Sequence, residues 1–328
     1  MRVILDCDPG NGIPGSDIDD GLALGLILRS PEFQLEAVTI VGGNTAVPDG
    51  VRAGLAMLEV AGSTVPLFAG SPRPLVEDST RWRREMDGRR TAEPAVSMWK
   101  DIPPPAPSGS PTPGGAAEAI VRIVNAHPGE VTIIAVGPLT NVAQAILLDP
   151  DLPRKVAQIS IMGGGFGVWH RPQELNFCYD PEAARIVVTS GAKVILTPLD
   201  TTLQTALLQE DNARLTASSD KLAHFLGVTC APWIDYLAKV RNRIGCALHD
   251  PLAVAVLLDR SFVQIERACV DVELAGRLTR GRPVSWQPGS PVPSAGLTLP
   301  DVPQVEIVTG VDNQAFKACM LGRLLGHH

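Results

Sequence analysis

The sequence has few aromatic residues and no apolar run long enough to cross a membrane. With only two tyrosines and seven phenylalanines, the core must be built mainly from Val, Leu, Ile and Ala, which suits strands packed between helices. A formal net charge of -7 argues against nucleic-acid or anionic-membrane partners. At 328 residues the chain is long enough to bury a large core.

The six cysteines never form a C-x-x-C pair, and this absence disfavours a zinc site or a disulfide framework. Their scattered positions are typical of buried free thiols in a reducing compartment. No signal peptide precedes the first predicted strand. We therefore expect a cytoplasmic protein.

Lysine and arginine are absent between Arg2 and Arg29, although this stretch is rich in aspartate. An apolar run of strand length leads into a loop of glycines and aspartates, which leads into an apolar helical segment. The carboxylates of this stretch belong to Asp6, Asp8, Asp17, Asp19 and Asp20. If they converge, their repulsion must be relieved by raised pKa values or by a bound cation, and we favour the cation.

The same loop contains the spacing G-x-G-x-x-G at Gly10, Gly12 and Gly15, which is typical of dinucleotide-binding turns. That motif works because backbone N–H groups and a helix N-terminus face a pyrophosphate. Here an anion would meet several aspartates, and Pro14 lacks the N–H donor. A nucleotide-dependent dehydrogenase is therefore the weaker alternative.

Strand-length apolar runs alternate with helical segments along most of the chain, which indicates a parallel sheet covered by helices. Besides the first strand, the main predicted strands are 35–41, 65–69, 131–136, 158–162 and 192–196. We predict a single domain over residues 1–328 with an irregular excursion at about 71–115. A loop of this length beside a strand-end site can also act as a lid, with Trp82 or Trp99 stacking on a flat ring.

Several polar residues follow predicted strands, where functional side chains of parallel sheets gather. Asp8, Asp20 and the distant Asp250 supply the oxygen ligands that a hard cation such as calcium prefers. A metal-bound water next to a carboxylate is a ready nucleophile. His249 is a candidate acid for a leaving group. The remaining candidates carry amide or carboxylate groups suited to vicinal hydroxyls, and they are Asn44, Glu174 and Asn176.

These residues lie in blocks that resemble the inosine-uridine preferring nucleoside hydrolases. In chain order the blocks are Asp6–Gly10 with Asp19–Asp20, Val41–Asn44, Val136–Asn141, Met162–Gly165, Glu174–Asn176 with Asp180–Ala184, and His249–Pro251. Residues 272–281 also look like the late strand pair of that family. Six ordered blocks form a specific pattern, whereas any one alone is weak.

The resemblance implies a nucleoside hydrolase fold, which is a single-domain, Rossmann-like, open mixed and mostly parallel sheet flanked by helices. It implies hydrolysis of the N-glycosidic bond of a ribonucleoside or related N-riboside. It also implies a homodimer or homotetramer. The residues implied to hold Ca²⁺ are Asp8, Asp20, the Val136 carbonyl and Asp250. The resemblance also implies that Asp8 acts as the base and that Asp6 supports the metal loop. The residues implied to contact the substrate are Asp19, Asn44, Met162, Glu174 and Asn176.

The chemistry of the candidate residues agrees with the activity that the resemblance implies. Carboxylates stabilise an oxocarbenium-like transition state, and the leaving base needs a proton donor, here His249. A ribose or nucleoside binding protein without turnover is the first alternative. Asp8 argues against it, because binding alone needs no base.

The chain departs from the family pattern in four places. The loop between Asp8 and Asp19 is longer, with 11–18 as the extra segment, which we call the inserted loop. Three further parts of the family pattern are replaced. Val168, Trp169 and His170 stand where an asparagine follows the glycine run, and Glu85–Gly88 stands in place of a histidine-glycine segment. Lys239 or Arg241 lies nearest to the position of a tyrosine that packs on the base. Recognition of the base and of the ribose 5′ side is therefore the least predictable part of the site.

Overall fold

The strands follow the alternation that the sequence predicts. The structure is a computed structural model and describes residues 1–168, 173–290 and 298–326. The strands in the described residues are β1 (Arg2–Cys7), β2 (Gln34–Ile40), β3 (Leu67–Ala69), β4 (Val131–Ala135), β5 (Gln158–Met162), β6 (Val194–Thr197), β7 (Val263–Val272), β8 (Pro283–Trp286) and β9 (Gln304–Val311).

Helices connect most of these strands. The described helices are α1 (Asp19–Leu28), α2 (Val47–Val60), α3 (Thr80–Thr91), α4 (Glu93–Met98), α5 (Ala116–Ala126), α6 (Thr140–Leu148), α7 (Leu152–Lys155), α8 (Leu175–Tyr179), α9 (Pro181–Val188), α10 (Leu199–Thr202), α11 (Gln209–Thr216), α12 (Lys221–Arg241), α13 (His249–Ala255) and α14 (Asn313–Leu324). No helix of the described residues has the length and apolar character of a membrane span.

The strands form one sheet in the order β3-β2-β1-β4-β5-β6-β9-β7-β8. All neighbours from β3 to β9 pair in parallel, and β7 pairs antiparallel with both β9 and β8. The predicted Rossmann-like, mostly parallel mixed sheet is therefore confirmed. Because β1, β2, β4 and β5 are neighbours, the loops that follow them meet at one edge of the sheet.

The central strands are buried on both faces, as their continuous apolar composition predicts. On one face, α1, α12, α13 and α14 cover apolar side chains such as Leu5 and Val38. On the other face, α5, α6 and α9 cover Ile4, Ile133 and their neighbours. The core thus fixes the strand ends from both sides, which holds the edge with the candidate site in place.

The expected irregular course of 71–115 is wrong for the part that forms α3 and α4. Trp99, which follows α4, is only 3% exposed and makes an edge-to-face contact with Tyr236 at 6.1 Å between ring centroids. Its ring belongs to the core and is therefore no candidate for stacking on a ligand. α3 is rich in arginine and has few apolar residues, so the apolar pattern of the sequence does not indicate this helix.

Candidate functional site

Four of the predicted site residues converge at the carboxyl ends of neighbouring strands. Asp8 follows β1, Asn44 follows β2, Val136 follows β4, and Met162 ends β5. All four line one cavity of about 1000 Å³. This cavity lies where ligands bind in open parallel sheets.

The aspartates are brought together by two helices that pack against each other. Asp19 and Asp20 begin α1, and Asp250 lies in the first turn of α13. Single carboxylate oxygens of these three residues lie within 4.8 Å of one another. The N–H of Asp8 donates to Asp20 Oδ1 at 2.8 Å, and the N–H of Asp250 donates to Asp19 Oδ2 at 3.2 Å. The site therefore joins residues from opposite ends of the chain.

Burial makes this carboxylate cluster electrostatically costly. Each of Asp8, Asp19, Asp20 and Asp250 is at most 4% exposed. Burial raises the pKa of Asp8 to about 7, and burial followed by repulsion between the carboxylates raises the pKa of the other three well above the usual range. Within the described residues, no arginine or lysine forms an ion pair with any of the four. A bound divalent cation would relieve this repulsion, so the donor set fits one.

Asp6 lies directly behind the cluster. Its Oδ1 accepts hydrogen bonds from Thr39 Oγ1 at 2.5 Å and Asn141 Nδ2 at 2.7 Å. These partners lie on β2 and α6, so the carboxylate links the end of β1 to a neighbouring strand and to a helix that covers the sheet. Burial raises the pKa of Asp6 to about 7.

Asn176 and Glu174 form a second hydrogen-bonded group on the cavity wall. Asn176 Nδ2 donates to the Val136 carbonyl at 2.8 Å and to the Met162 carbonyl at 3.1 Å. Glu174 caps α8 by accepting from the N–H groups of Asn176 and Phe177, and it also accepts from Gly164. The Asn176 donors are thus already used, and its Oδ1 remains for a ligand.

Asn44 is held mainly by the inserted loop. Its Oδ1 accepts from the N–H of Asp17 at 3.1 Å, and its Nδ2 donates to the Asp17 carbonyl at 3.0 Å and the Asp8 carbonyl at 3.3 Å. Both Nδ2 hydrogens are therefore occupied within the protein. The inserted loop thus changes how Asn44 can contact a sugar, which the family resemblance did not predict.

The glycines of the G-x-G-x-x-G spacing serve close packing. A Cβ at Gly10 would lie 2.2 Å from the Asp17 carbonyl oxygen, and a Cβ at Gly15, which has φ +70°, would lie 3.2 Å from the Arg89 carbonyl oxygen. The following helix begins with two buried aspartates. The G-x-G-x-x-G spacing therefore reflects loop packing, and no pyrophosphate fits at this helix N-terminus.

His249 begins α13 and lines the cavity. Its Nδ1 lies 2.6 Å from Thr202 Oγ1. Burial, together with the charge of Arg243, lowers the pKa of the ring to about 4. Both effects favour the neutral imidazole over the imidazolium.

The sequence indicates some of the residues that line the cavity and not others. Trp82 lines it as predicted and contacts Tyr179 edge-to-face at 6.4 Å. Met86 and Arg241 line it as well, both from positions where the family pattern is replaced. The further lining residues that sequence reasoning missed include Cys178, Tyr179, Trp233 and Arg243. No motif marks them, because they come from helices and turns whose placement depends on the whole fold.

Other residues at the departures from the family pattern are not seen to line the cavity. Lys239 pairs with Asp235 on the exposed face of α12 and does not line the cavity. Trp169 and His170 lie outside the described residues.

A mostly parallel α/β sheet with a buried carboxylate cluster at its carboxyl edge defines an α/β enzyme with an acidic active site. The chain belongs to the inosine-uridine preferring nucleoside hydrolase family, whose model matches residues 3–318. It is therefore an N-glycosyl hydrolase, and the resemblance seen in the sequence is confirmed.

Similar proteins span the whole chain. The pyrimidine-specific ribonucleoside hydrolase RihA of Citrobacter koseri is 33% identical over 334 residues, covering 99% of this chain and 98% of that protein. Probable uridine nucleosidase 2 of Arabidopsis thaliana is 31% identical, with coverages of 99% and 97%.

Solved structures agree on the fold. The plant nucleoside hydrolase PpNRh1 is 28% identical with a TM-score of 0.83, covering 99% of this chain and 98% of that one. The purine-preferring ribonucleoside hydrolase from Gardnerella vaginalis is 27% identical with a TM-score of 0.83, covering 100% and 99%.

Proposed function

We propose that this protein hydrolyses the N-glycosidic bond of a ribonucleoside or related N-riboside in a calcium-dependent reaction that releases the free base and ribose. The observation that carries the proposal is the cluster of four buried carboxylates, unpaired with any described cationic side chain, on a cavity that also contains His249. Carboxylates stabilise the positive charge that develops on the ribosyl ring as the bond breaks.

The residues that would hold the cation are Asp8, Asp20, the Val136 carbonyl and Asp250. When bound, Ca²⁺ would supply Lewis-acid chemistry that lowers the pKa of a coordinated water. Asp8 removes the proton of the attacking water. Its carboxylate is oriented for this role by the N–H of Asn44, which donates to Oδ2 at 2.5 Å.

The sugar is held by the walls of the same cavity. Asp19, Glu174 and Asn176 line the cavity with carboxylate and amide groups that would hold vicinal hydroxyls, and Met162 would provide apolar contact. Asn44 contributes through its bonds to the inserted loop and to Asp8. His249 faces the leaving base as an N–H donor. His249 directly precedes Asp250 on α13, so the ring lies beside the carboxylate cluster in the same cavity.

Turnover is tested with a nitrophenyl riboside and a panel of purine and pyrimidine nucleosides, with and without a chelator. We expect ribose release that is lost on chelation and restored by added Ca²⁺. Absence of metal-dependent release from every substrate would count against the proposal. Binding of nucleosides without release would instead favour the ribose or nucleoside binding protein.

We also propose that the protein is cytoplasmic and forms a homodimer or homotetramer. The buried or half-buried free thiols of the described cysteines support a reducing compartment. Light scattering coupled to size-exclusion chromatography would measure the mass of the assembly, and a monomer would overturn the second part.

A further inference from the structure

His249 makes one short hydrogen bond to a buried hydroxyl. Thr202 ends the short helix α10 and is fully buried, and its Oγ1 lies 2.6 Å from Nδ1 of the ring. Because an imidazole has only two ring nitrogens and Nδ1 is engaged here, Nε2 is the nitrogen left for a ligand in the cavity.

The direction of this hydrogen bond follows from the partners that Thr202 has. In the described residues, the Thr202 hydroxyl contacts no acceptor other than His249 Nδ1. If Nδ1 carried the proton, the hydroxyl hydrogen would be a buried donor without an acceptor, which is unfavourable. The hydroxyl therefore donates to Nδ1, and the proton of the neutral ring lies on Nε2.

The two groups are also fixed to each other through the backbone. Thr205 Oγ1 donates to the Thr202 carbonyl at 2.7 Å and accepts from the N–H of Leu248 at 3.1 Å. Thr205 thus connects the end of α10 to the residue that precedes His249. Separation of the backbone of His249 from that of Thr202 would strain this connection.

We propose that Thr202 is a positioning residue that fixes His249 as the tautomer with its proton on Nε2, so that the ring presents an N–H donor to the leaving base. This inference rests on the proposed function. The C1′–N bond breaks with its electron pair moving to the base, while the water oxygen bonds to C1′ and the water proton moves to Asp8. The Nε2–H group stabilises the departing base anion by a hydrogen bond, and the base then takes a proton from solvent. Asp8 releases its proton to solvent.

Kinetics with two kinds of leaving group test the proposal. The best nucleoside of the panel needs assistance to its leaving base, whereas nitrophenolate is already a stable anion. For Thr202→Val we expect kcat/KM for the nucleoside to fall on the order of 100-fold, with a change of about threefold or less for the nitrophenyl riboside. Thr202→Ser, which keeps the hydroxyl, should restore the nucleoside rate.

The residue next to Thr202 provides a matched control. Thr201 is equally buried on α10, but its hydroxyl donates to the Val308 carbonyl at 2.6 Å. Thr201→Val should therefore keep the wild-type ratio between the two substrates. An equal fall for both substrates in Thr202→Val, or a similar loss of ratio in Thr201→Val, would overturn the positioning role.

Nitrogen NMR of ¹⁵N-histidine-labelled protein reads the tautomer without any turnover. The His249 signals are identified by their loss in His249→Gln. We expect a protonated Nε2 and an unprotonated Nδ1 in the wild type, and a mixture of tautomers in Thr202→Val. A proton on Nδ1 in the wild type would disprove the inference. Failure of the proposed function would appear differently, as wild-type protein that releases ribose from no substrate.

Discussion

Asn44 and Asp8 contact each other twice across the ends of β1 and β2. The N–H of Asn44 donates to Asp8 Oδ2 at 2.5 Å, and Asn44 Nδ2 donates to the Asp8 carbonyl at 3.3 Å. The same amide side chain holds the backbone of Asp17 from both sides. One asparagine therefore ties the proposed base to the inserted loop.

Asn44→Ala should remove the bonds to Asp17 while keeping the backbone N–H that contacts Asp8. Because this leaves buried polar groups of the loop unpaired, we expect the free energy of unfolding to fall by about 1–3 kcal/mol. Urea unfolding measures the change. Asn125→Ala, which removes an exposed hydrogen bond to Asp149, should cost less than about 0.5 kcal/mol. Equal stability of Asn44→Ala and wild type would contradict a bracing role.

Asp8→Ala should lose activity and still fold. Removal of the proposed base should lower kcat on the order of 100- to 10,000-fold. In the presence of chelator the variant should melt at or above the wild-type temperature, because one member of a buried carboxylate cluster has been removed. Ribose release and thermal denaturation measure the two effects. Wild-type turnover in this variant would exclude Asp8 as the base.

The metal-free protein should become less stable as the pH rises from about 4 to 7. Burial raises the pKa of Asp6 and Asp8 from 3.8 to about 7, so the folded state binds protons more tightly than the unfolded state in this window. Deprotonation on raising the pH therefore costs stability. Melting temperatures in chelator should fall between pH 5 and 7.5, and added Ca²⁺ should raise them most at pH 7.5. A melting temperature in chelator that rises across this range would contradict the argument.

Arg83 anchors α3 to the cavity edge. Its guanidinium donates to the carbonyls of Gly43 at 2.9 Å and Asn44 at 3.3 Å, and also to Asp87 at 3.0 Å. Arg83→Met keeps the apolar stem and removes these donors, so Trp82 should lose its fixed place on the cavity wall. We expect KM to rise on the order of 10-fold with kcat nearly unchanged, since a contact that binds substrate and transition state alike affects KM alone.

Hydrogen exchange of residues 80–91 should increase in the same variant. The neighbouring Arg84 is exposed, so Arg84→Met serves as the control and should behave as wild type. Unchanged exchange and unchanged KM in Arg83→Met would show that α3 is held by other contacts.

Local patterns in the sequence predict most of the sheet and the aspartate cluster. Strand-end positions follow from apolar runs, so the sequence predicts Asp8 and Asn44 at one edge, whereas Val136 is added by the family resemblance. α3 and α4 were missed because their stability comes from tertiary contacts such as those of Arg83 and Trp99. Trp233 and Thr202 carry no motif, and their roles depend on which helix end packs beside the cavity. The hydrogen bonds that occupy the Asn44 amide depend on the path of the inserted loop. The spacing of residues in the sequence does not specify that path.

The contact between α1 and α13 has a consequence for the newly synthesised chain. Asp8, Asp19 and Asp20 leave the ribosome early, whereas Asp250 follows after more than two hundred further residues. A nascent chain therefore carries an incomplete carboxylate cluster for most of its synthesis. A chain truncated before residue 249 would lack Asp250, the distant partner of the early aspartates. We therefore expect hydrolytic activity only in chains that extend beyond α13.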